Sequence, residues 1–253
     1  MNFLGTPLKV GIAVAALGVA GFSAAGPPFL TDDPEPVELR HWEAYLFATH
    51  DVTRDTAQIE GPAFELNVGA APELQLHLAV PFATAGPAGG PTAHGFGDAE
   101  IGVKYRFVEE TERRPQVGVF PMLELPTGNA ERGLGNGRLW ARLPLWVQKS
   151  WGSWTTYGGG GYAINRAPGA RSYPFAGWLV QRAISGDLTL GGELFARRAD
   201  AEGGRSATVF NGGGSLTVAP GLSVLFSLGH TLAGERHTLG YLGLYWTWGG
   251  NGP

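Results

Sequence analysis

Asp98, Glu100, Lys104 and Arg106 share one phase of the stretch Asp98–Phe107, with Gly102 between the acids and the bases. Two carboxylates and two cations along one line can act in either of two ways. They can line an aqueous path and set its preference among solutes, or they can neutralise one another as an internal network, because a buried charge requires a partner. Glu65, Asn67, Gln75, His77, Glu124, Arg142, Glu193 and Arg197 fall on the same polar phase of other runs, as do Glu43 and Gln148. Catalysis finds less support. None of the six histidines, His41, His50, His77, His94, His230 and His237, sits in a compact Ser/His/Asp or Ser/His/Asn pattern. His230 and Ser227 are three apart, which in a strand places them on opposite faces. There is no cysteine, and no pair of histidines or carboxylates has metal-ligand spacing. Gly133–Gly137 and Gly158–Gly161 lack the Lys-Ser/Thr of a phosphate loop. The chain is therefore read as non-enzymatic, with no cofactor and no metal.

The element that positions these charges is a strand. In Asp98–Phe107 the other phase reads Ala99, Ile101, Val103, Tyr105 and Phe107, so the strand has one apolar and one polar face. Similar alternation appears at 38–49, 63–70, 74–80, 139–150, 188–197 and 238–248. A glycine-rich strand is expected at 155–165 and a further strand at 173–184, and the sequence does not fix which phase of either faces inward. Pro121 within Val117–Leu125 cannot donate to a ladder and predicts a bulge.

With two more strands at 206–218 and 222–231, about twelve result, and their connections sort by parity. Those near 71–73, 109–115, 152–153, 185–187 and 219–221 are short, with only 109–115 as long as the shorter members of the other set. Those near 50–60, 82–95, 127–138, 166–172, 199–205 and 232–237 are longer. A soluble sandwich has no reason to sort its connections this way. A transmembrane barrel does, with short turns at one end and long loops at the other. The loops at 82–95 and 127–138, rich in Gly and Pro, are candidates for an outer gate. Charged residues make up only 16% of the chain, with 41 Gly and 8 Trp, and the formal net charge is −4. That balance gives no reason to expect a nucleic-acid partner.

At the N-terminus Lys9 precedes the apolar run Val10–Phe22 and then Ser23-Ala24-Ala25. This is a secretory signal pattern, too short to span a bilayer as a helix, with cleavage expected after Ala25. The expected organisation is a signal peptide at 1–25, an irregular Pro- and Asp-rich lead-in at 26–36, a barrel at 37–248 and a tail at 249–253. In the last strand Leu242, Leu244, Trp246 and Trp248 share a face and end where an aromatic girdle belongs. Gly243–Trp248 also resembles the assembly signal of such barrels, although five residues follow it.

Glu124-Leu125-Pro126-Thr127-Gly128, the turn Trp151-Gly152, the run Leu190–Phe195 and Gly97-Asp98 opening a strand are similar to a known family. Together they resemble the MetA-type phenol meta-pathway outer-membrane transporters, over about Gly61 to Trp248. The resemblance implies a barrel and the passage of small, apolar or aromatic, molecules. The combined expectation is an all-β, 12-stranded antiparallel up-and-down transmembrane β-barrel in a bacterial outer membrane. Its expected partners are outer-membrane lipids, a small-molecule solute and the barrel-assembly machinery. Two functions stay open: a channel lined by the charges above, or a closed structural or loop-mediated binding barrel of the outer membrane without transport activity, its interior a static ion-pair network.

Overall fold

The computed structural model describes residues 27–54, 56–87 and 92–249, so the proposed signal peptide lies outside the described residues. The chain forms β1 (His41–Val52), β2 (Thr56–Ala71), β3 (Leu74–Pro87), β4 (Ala93–Phe96), β5 (Ala99–Val108), β6 (Gln116–Val119) and β7 (Met122–Leu125). After one turn of 3-10 helix at Ala130–Arg132 come β8 (Trp140–Trp151), β9 (Trp154–Ile164), β10 (Tyr173–Ala183) and β11 (Leu188–Arg197). The last are β12 (Ala207–Ala219), β13 (Leu222–Gly234) and β14 (Thr238–Gly249).

β4 and β5 both pair with β3, and β6 and β7 both lie between β5 and β8. Each of these couples is one interrupted stave, so the fourteen strands make twelve staves. All pairings between strands are antiparallel, and β1 pairs with β14 from His41↔Gly249 to Val52↔Thr238. The sheet therefore closes on itself as a twelve-stranded up-and-down barrel, which leaves no edge to aggregate. Pro121 lies in the gap between β6 and β7, its carbonyl accepting from the Val103 N–H. Gly97-Asp98 lies in the gap between β4 and β5.

Alternation sets the two faces. Phe64, Leu228 and Leu242 point outward and are 60%, 65% and 61% exposed, as befits side chains that meet lipid. Ile101, Val103, Tyr105 and Phe107 are on this face, while Glu100, Lys104 and Arg106 point inward. Trp42 stacks on Trp248 across the closing seam, with ring centroids 6.4 Å apart. That pair stands at the end with the short turns and belongs to the aromatic belt there. The phase left open at 155–165 and 173–184 is settled by Tyr157, Phe175, Leu179 and Gln181, which are all buried inside.

The long-loop end is tighter than expected. β1 and β2 are separated only by residues 53–55, and β13 and β14 only by 235–237. Strand pairing also runs to Pro87 and resumes at Ala93, so most of 82–95 is ladder rather than loop. Long strands that overrun the apolar belt account for these differences: polar residues at the ladder ends looked like loop, but backbone pairing continues through them.

Candidate functional site

The barrel interior is not an open tube. Residues 27–40, of which only those up to 36 were expected as an irregular lead-in and the rest as the start of the barrel, run inside it as a strap from mid-lumen to the short-turn mouth. Thr31, Asp33 and Pro34 are fully buried. Glu193 on β11 accepts from the backbone N–H groups of Leu30 and Thr31, both at 2.8 Å, and from Asn211 Nδ2 at 2.5 Å. Ser227 Oγ on β13 donates to the Pro28 carbonyl at 2.6 Å. Across the lumen, Lys104 Nζ on β5 donates to Asp32 Oδ1 at 3.0 Å and Asp33 Oδ2 at 3.4 Å. Gln116 and Gln148 both donate to Glu35 Oε2, at 3.2 and 3.0 Å, and Gln75 Oε1 accepts from Val37 N at 2.9 Å. Two wall glycines make room for the strap. A Cβ on Gly69 would overlap the Glu38 carbonyl, and one on Gly177 would overlap Thr31 Oγ1.

At the other end, residues 126–139 between β7 and β8 fold inward. Asp98, in the stave gap, accepts from Gly128 N at 2.8 Å and Asn136 N at 2.6 Å. Asn136 also exchanges side-chain amide hydrogen bonds with Asn165 at 3.0 and 3.1 Å. Leu134 is buried beneath the loop.

Between strap and loop lies a polar cluster. His77 Nδ1 is 2.8 Å from Asn67 Oδ1 and 3.5 Å from Glu65 Oε1, and its Nε2 is 3.2 Å from Glu100 Oε1. Asn67 Nδ2 donates to Glu65 at 2.9 Å, and Arg142 pairs with Glu100. Facing this cluster are apolar and aromatic side chains on the same inward phase. Phe120, Met122, Trp146, Ala163 and Phe175 form one buried cluster, with Trp140, Tyr173 and Phe195 packed against it. Ring centroids of Trp146 and Phe175 are 6.3 Å apart, and those of Phe175 and Phe195 6.0 Å.

The twelve residues predicted as lumen-lining thus have different fates. Gln75, Lys104 and Glu193 hold the strap, and Asp98 holds the loop. Glu65, Asn67, His77, Glu100 and Arg142 form the mid-lumen cluster. Arg106 pairs with Glu73 and reaches Gln116. Glu124 faces the outer vestibule beside Trp140 and Arg142. Arg197 pairs with Asp200 at 2.6 Å and lies 3.3 Å from His237 Nε2. Sequence reasoning missed Asp32, Asp33, Glu35 and the interior rings. For Trp146 a signal existed, since it shares the polar phase of its strand with Arg142 and Gln148. Among the described residues no cluster of three or more His, Cys, Asp or Glu could hold a metal ion.

Three cavities follow one another along the lumen. The inner one, about 780 Å³, opens at the short-turn mouth beside the strap. The middle one, about 220 Å³, lies among Phe29, Leu30, the interior rings and the His77 cluster. The outer one, about 650 Å³, lies beneath the loop at 126–139. Inner and middle share Asp32, Glu65 and Phe120 as lining; middle and outer share Glu65, Glu100, Arg142 and Tyr173.

The family described as "Putative MetA-pathway of phenol degradation" matches residues 41–247, from the start of the first strand into the last. The chain belongs to this family. Curated protein sequences gave no match. Among solved structures, the COG4313 outer membrane channel from Pseudomonas putida F1 is similar with a TM-score of 0.71 and 16% identity, over 85% of this chain and 98% of that one. The KdgM porin in complex with disordered oligogalacturonate gives a TM-score of 0.56 and 10% identity, over 81% and 99%. The translocator domain of autotransporter NalP from Neisseria meningitidis gives 0.54 and 10%, over 81% and 88%. At these identities the likeness is one of fold: the neighbours are barrels of the bacterial outer membrane, and this barrel is one as well.

Proposed function

We propose that the protein passes small molecules across the outer membrane through its lumen, with the strap as the narrowest element of the path. The observation that carries this reading is the succession of three cavities sharing lining residues from mouth to mouth. The aromatic wall of the middle cavity favours solutes with an apolar or aromatic part over sugars or ions. Glu65, Asn67, His77, Glu100, Glu124 and Arg142 then line the path, while Gln75, Lys104, Arg106, Asp98, Glu193 and Arg197 shape it by holding the segments around it. The similarity to a protein named as an outer membrane channel supports the same reading. No step of it requires catalysis, a cofactor or a metal. Lipids, the solute and the barrel-assembly machinery are the partners it implies, and a cleaved signal at 1–25 is the route it implies for export.

A second reading has an observation of its own. The strap and the His77 cluster satisfy much of the interior polarity, as a sealed structural barrel would require. Planar-bilayer recording and liposome flux on purified protein separate the two. Conductance together with flux of small aromatic solutes supports passage. A silent bilayer with no flux, both in the natural chain and in a variant whose strap is loosened, leaves the sealed barrel.

A further inference from the structure

The outer rim carries cations that the chain leaves uncompensated. Arg54, Arg166, Arg171, Arg198, Arg205 and Arg236 are exposed, and none has an ion-pair partner among the described residues. They lie on the connections at the long-loop end, and backbone hydrogen bonds knit these connections together. Arg171 N donates to the Asp200 carbonyl at 2.7 Å, Glu202 N to that of Gly169 at 2.8 Å, and Glu235 N to that of Ser206 at 3.1 Å. The seam pair Val52↔Thr238 sets residues 53–55 beside 235–237, which completes one arc of the rim. Most acids of this arc are engaged: Asp200 by Arg197, and Asp51 and Glu235 by His237. Among the described residues that leaves Glu202 against six guanidinium groups. The opposite mouth differs, since Arg106 pairs there with Glu73 and Lys149 with Glu110. Arg113 and Arg114 share their turn with Glu109, Glu110 and Glu112.

Position and chemistry narrow the partner. Long loops of such barrels face outward, so the arc stands at the headgroup level of the outer leaflet. Below it Leu194, Phe210 and Leu228 are exposed on the lipid face. Arg198 continues the outward phase of Leu194 about 13 Å farther along the strand. Its aliphatic stem reaches over the apolar wall while the guanidinium meets the headgroups. Guanidinium forks match phosphate oxygens bidentately. A headgroup with two phosphates on one acylated sugar unit answers a row of such forks better than a zwitterionic phospholipid, whose own ammonium offsets its phosphate. We infer that this arc is a docking surface for lipid A, the diphosphorylated acylated disaccharide of the outer leaflet, with its phosphates on the arginines and its acyl chains against the apolar belt below.

This docking depends on the outer-membrane setting and not on whether the lumen passes a solute. Native mass spectrometry of the full chain in detergent micelles compares lipid A, fully dephosphorylated lipid A and phosphatidylglycerol, with heat-modifiable gel mobility verifying that each variant is a folded barrel. The natural chain is expected to bind lipid A at least about tenfold more tightly than either of the others. Arg198→Gln, Arg205→Gln and Arg236→Gln combined are expected to weaken lipid A binding about a hundredfold, from about fivefold for each cation near a charged lipid surface. Binding of the dephosphorylated form should not change. Arg198→Lys, Arg205→Lys and Arg236→Lys combined keep the charge and are expected to retain most of the affinity. Arg113→Gln with Arg114→Gln, at the opposite rim, is expected to bind as the natural chain does. Natural affinity in the glutamine triple variant overturns the inference, as does equal affinity for dephosphorylated lipid A, which would mean acyl-chain contact alone. Equal affinity for phosphatidylglycerol would make the arc a general anionic surface, and displacement of lipid A by millimolar inorganic phosphate would make it a site for the free anion. Either result overturns the assignment to lipid A.

Discussion

Two segments enter the barrel from opposite ends, and they are held by opposite means. The strap at 27–40 is bound by side chains from β3, β5, β6, β8, β11 and β13, including a buried lysine facing two aspartates. The loop at 126–139 is held from the wall at one stave gap, by the carboxylate of Asp98 and by Thr127 Oγ1, which accepts from Ala99 N at 2.8 Å and donates to the Gly97 carbonyl at 3.1 Å, with help from Asn165. Both narrow the same lumen. The difference shows that occlusion at the short-turn mouth is built into the wall on many sides, whereas occlusion at the outer mouth depends on one stave gap. A distributed clamp yields stepwise to mutation, and a single clamp yields at once.

Lys104→Met tests the distributed clamp most severely, because it leaves Asp33, and with it Asp32, without a cation. Breaking a buried pair by removing one partner costs about 3–5 kcal/mol. A lowered unfolding midpoint in urea, followed by heat-modifiable gel mobility, together with raised bilayer conductance, is the expected result. Natural-like values for both would mean that the strap does not depend on this pair.

Glu193→Ala removes a milder element of the same clamp. Leu30 N, Thr31 N and Asn211 Nδ2 lose their acceptor, at about 1–3 kcal/mol for a buried group left unsatisfied. Faster amide exchange at Leu30 and Thr31 with the barrel ladder still protected is the signature; exchange spreading through β11 would show that Glu193 serves the wall instead.

Asp98→Ala tests the single clamp. Gly128 N and Asn136 N lose their acceptor at a partly open site, so a cost of about 1–2 kcal/mol is expected. Proteolysis within 126–139 should accelerate while conductance rises less than in Lys104→Met, since the strap still narrows the path. An equal or larger rise would move the constriction to the outer mouth.

The smallest effect concerns the rim. His237, between β13 and β14, lies 2.7 Å from Asp51 Oδ1, with Glu235 at 3.6 Å and Arg197 at 3.3 Å. The hydrogen bond to Asp51 raises the imidazole pKa above its ordinary value, against the opposing pull of burial. A raised folded value means that the contribution is complete below the ordinary imidazole value of about 6.5. It then fades as pH rises through the folded value. Amide protection of 235–237 should therefore fall with rising pH in the natural chain and stay flat in His237→Gln.

How much of this was legible follows from which interactions are local. Alternation in Asp98–Phe107 and parity of the connections were enough for a barrel, because side-chain period and turn length are properties of short stretches. The inward placement of Glu65, His77, Glu100 and Arg142 follows from the same period. The strap was not legible. Thr31 and Glu193 are 162 positions apart, and nothing in Gly26–Pro36 announces that its acids will meet Lys104 inside the barrel. The role of Asp98 was hidden for a similar reason: it reads as the first polar residue of a strand, yet it serves a loop thirty residues on.

The strap also continues directly into β1 at Arg40-His41, so it can never be lost from its own lumen. Fourteen residues at about 3.3–3.6 Å each reach no farther than about 50 Å from that hinge. Any opening of the inner mouth is then an intramolecular equilibrium, with the displaced segment held at an effective concentration in the millimolar range. Closure needs no second molecule and is independent of how much of the protein the membrane holds.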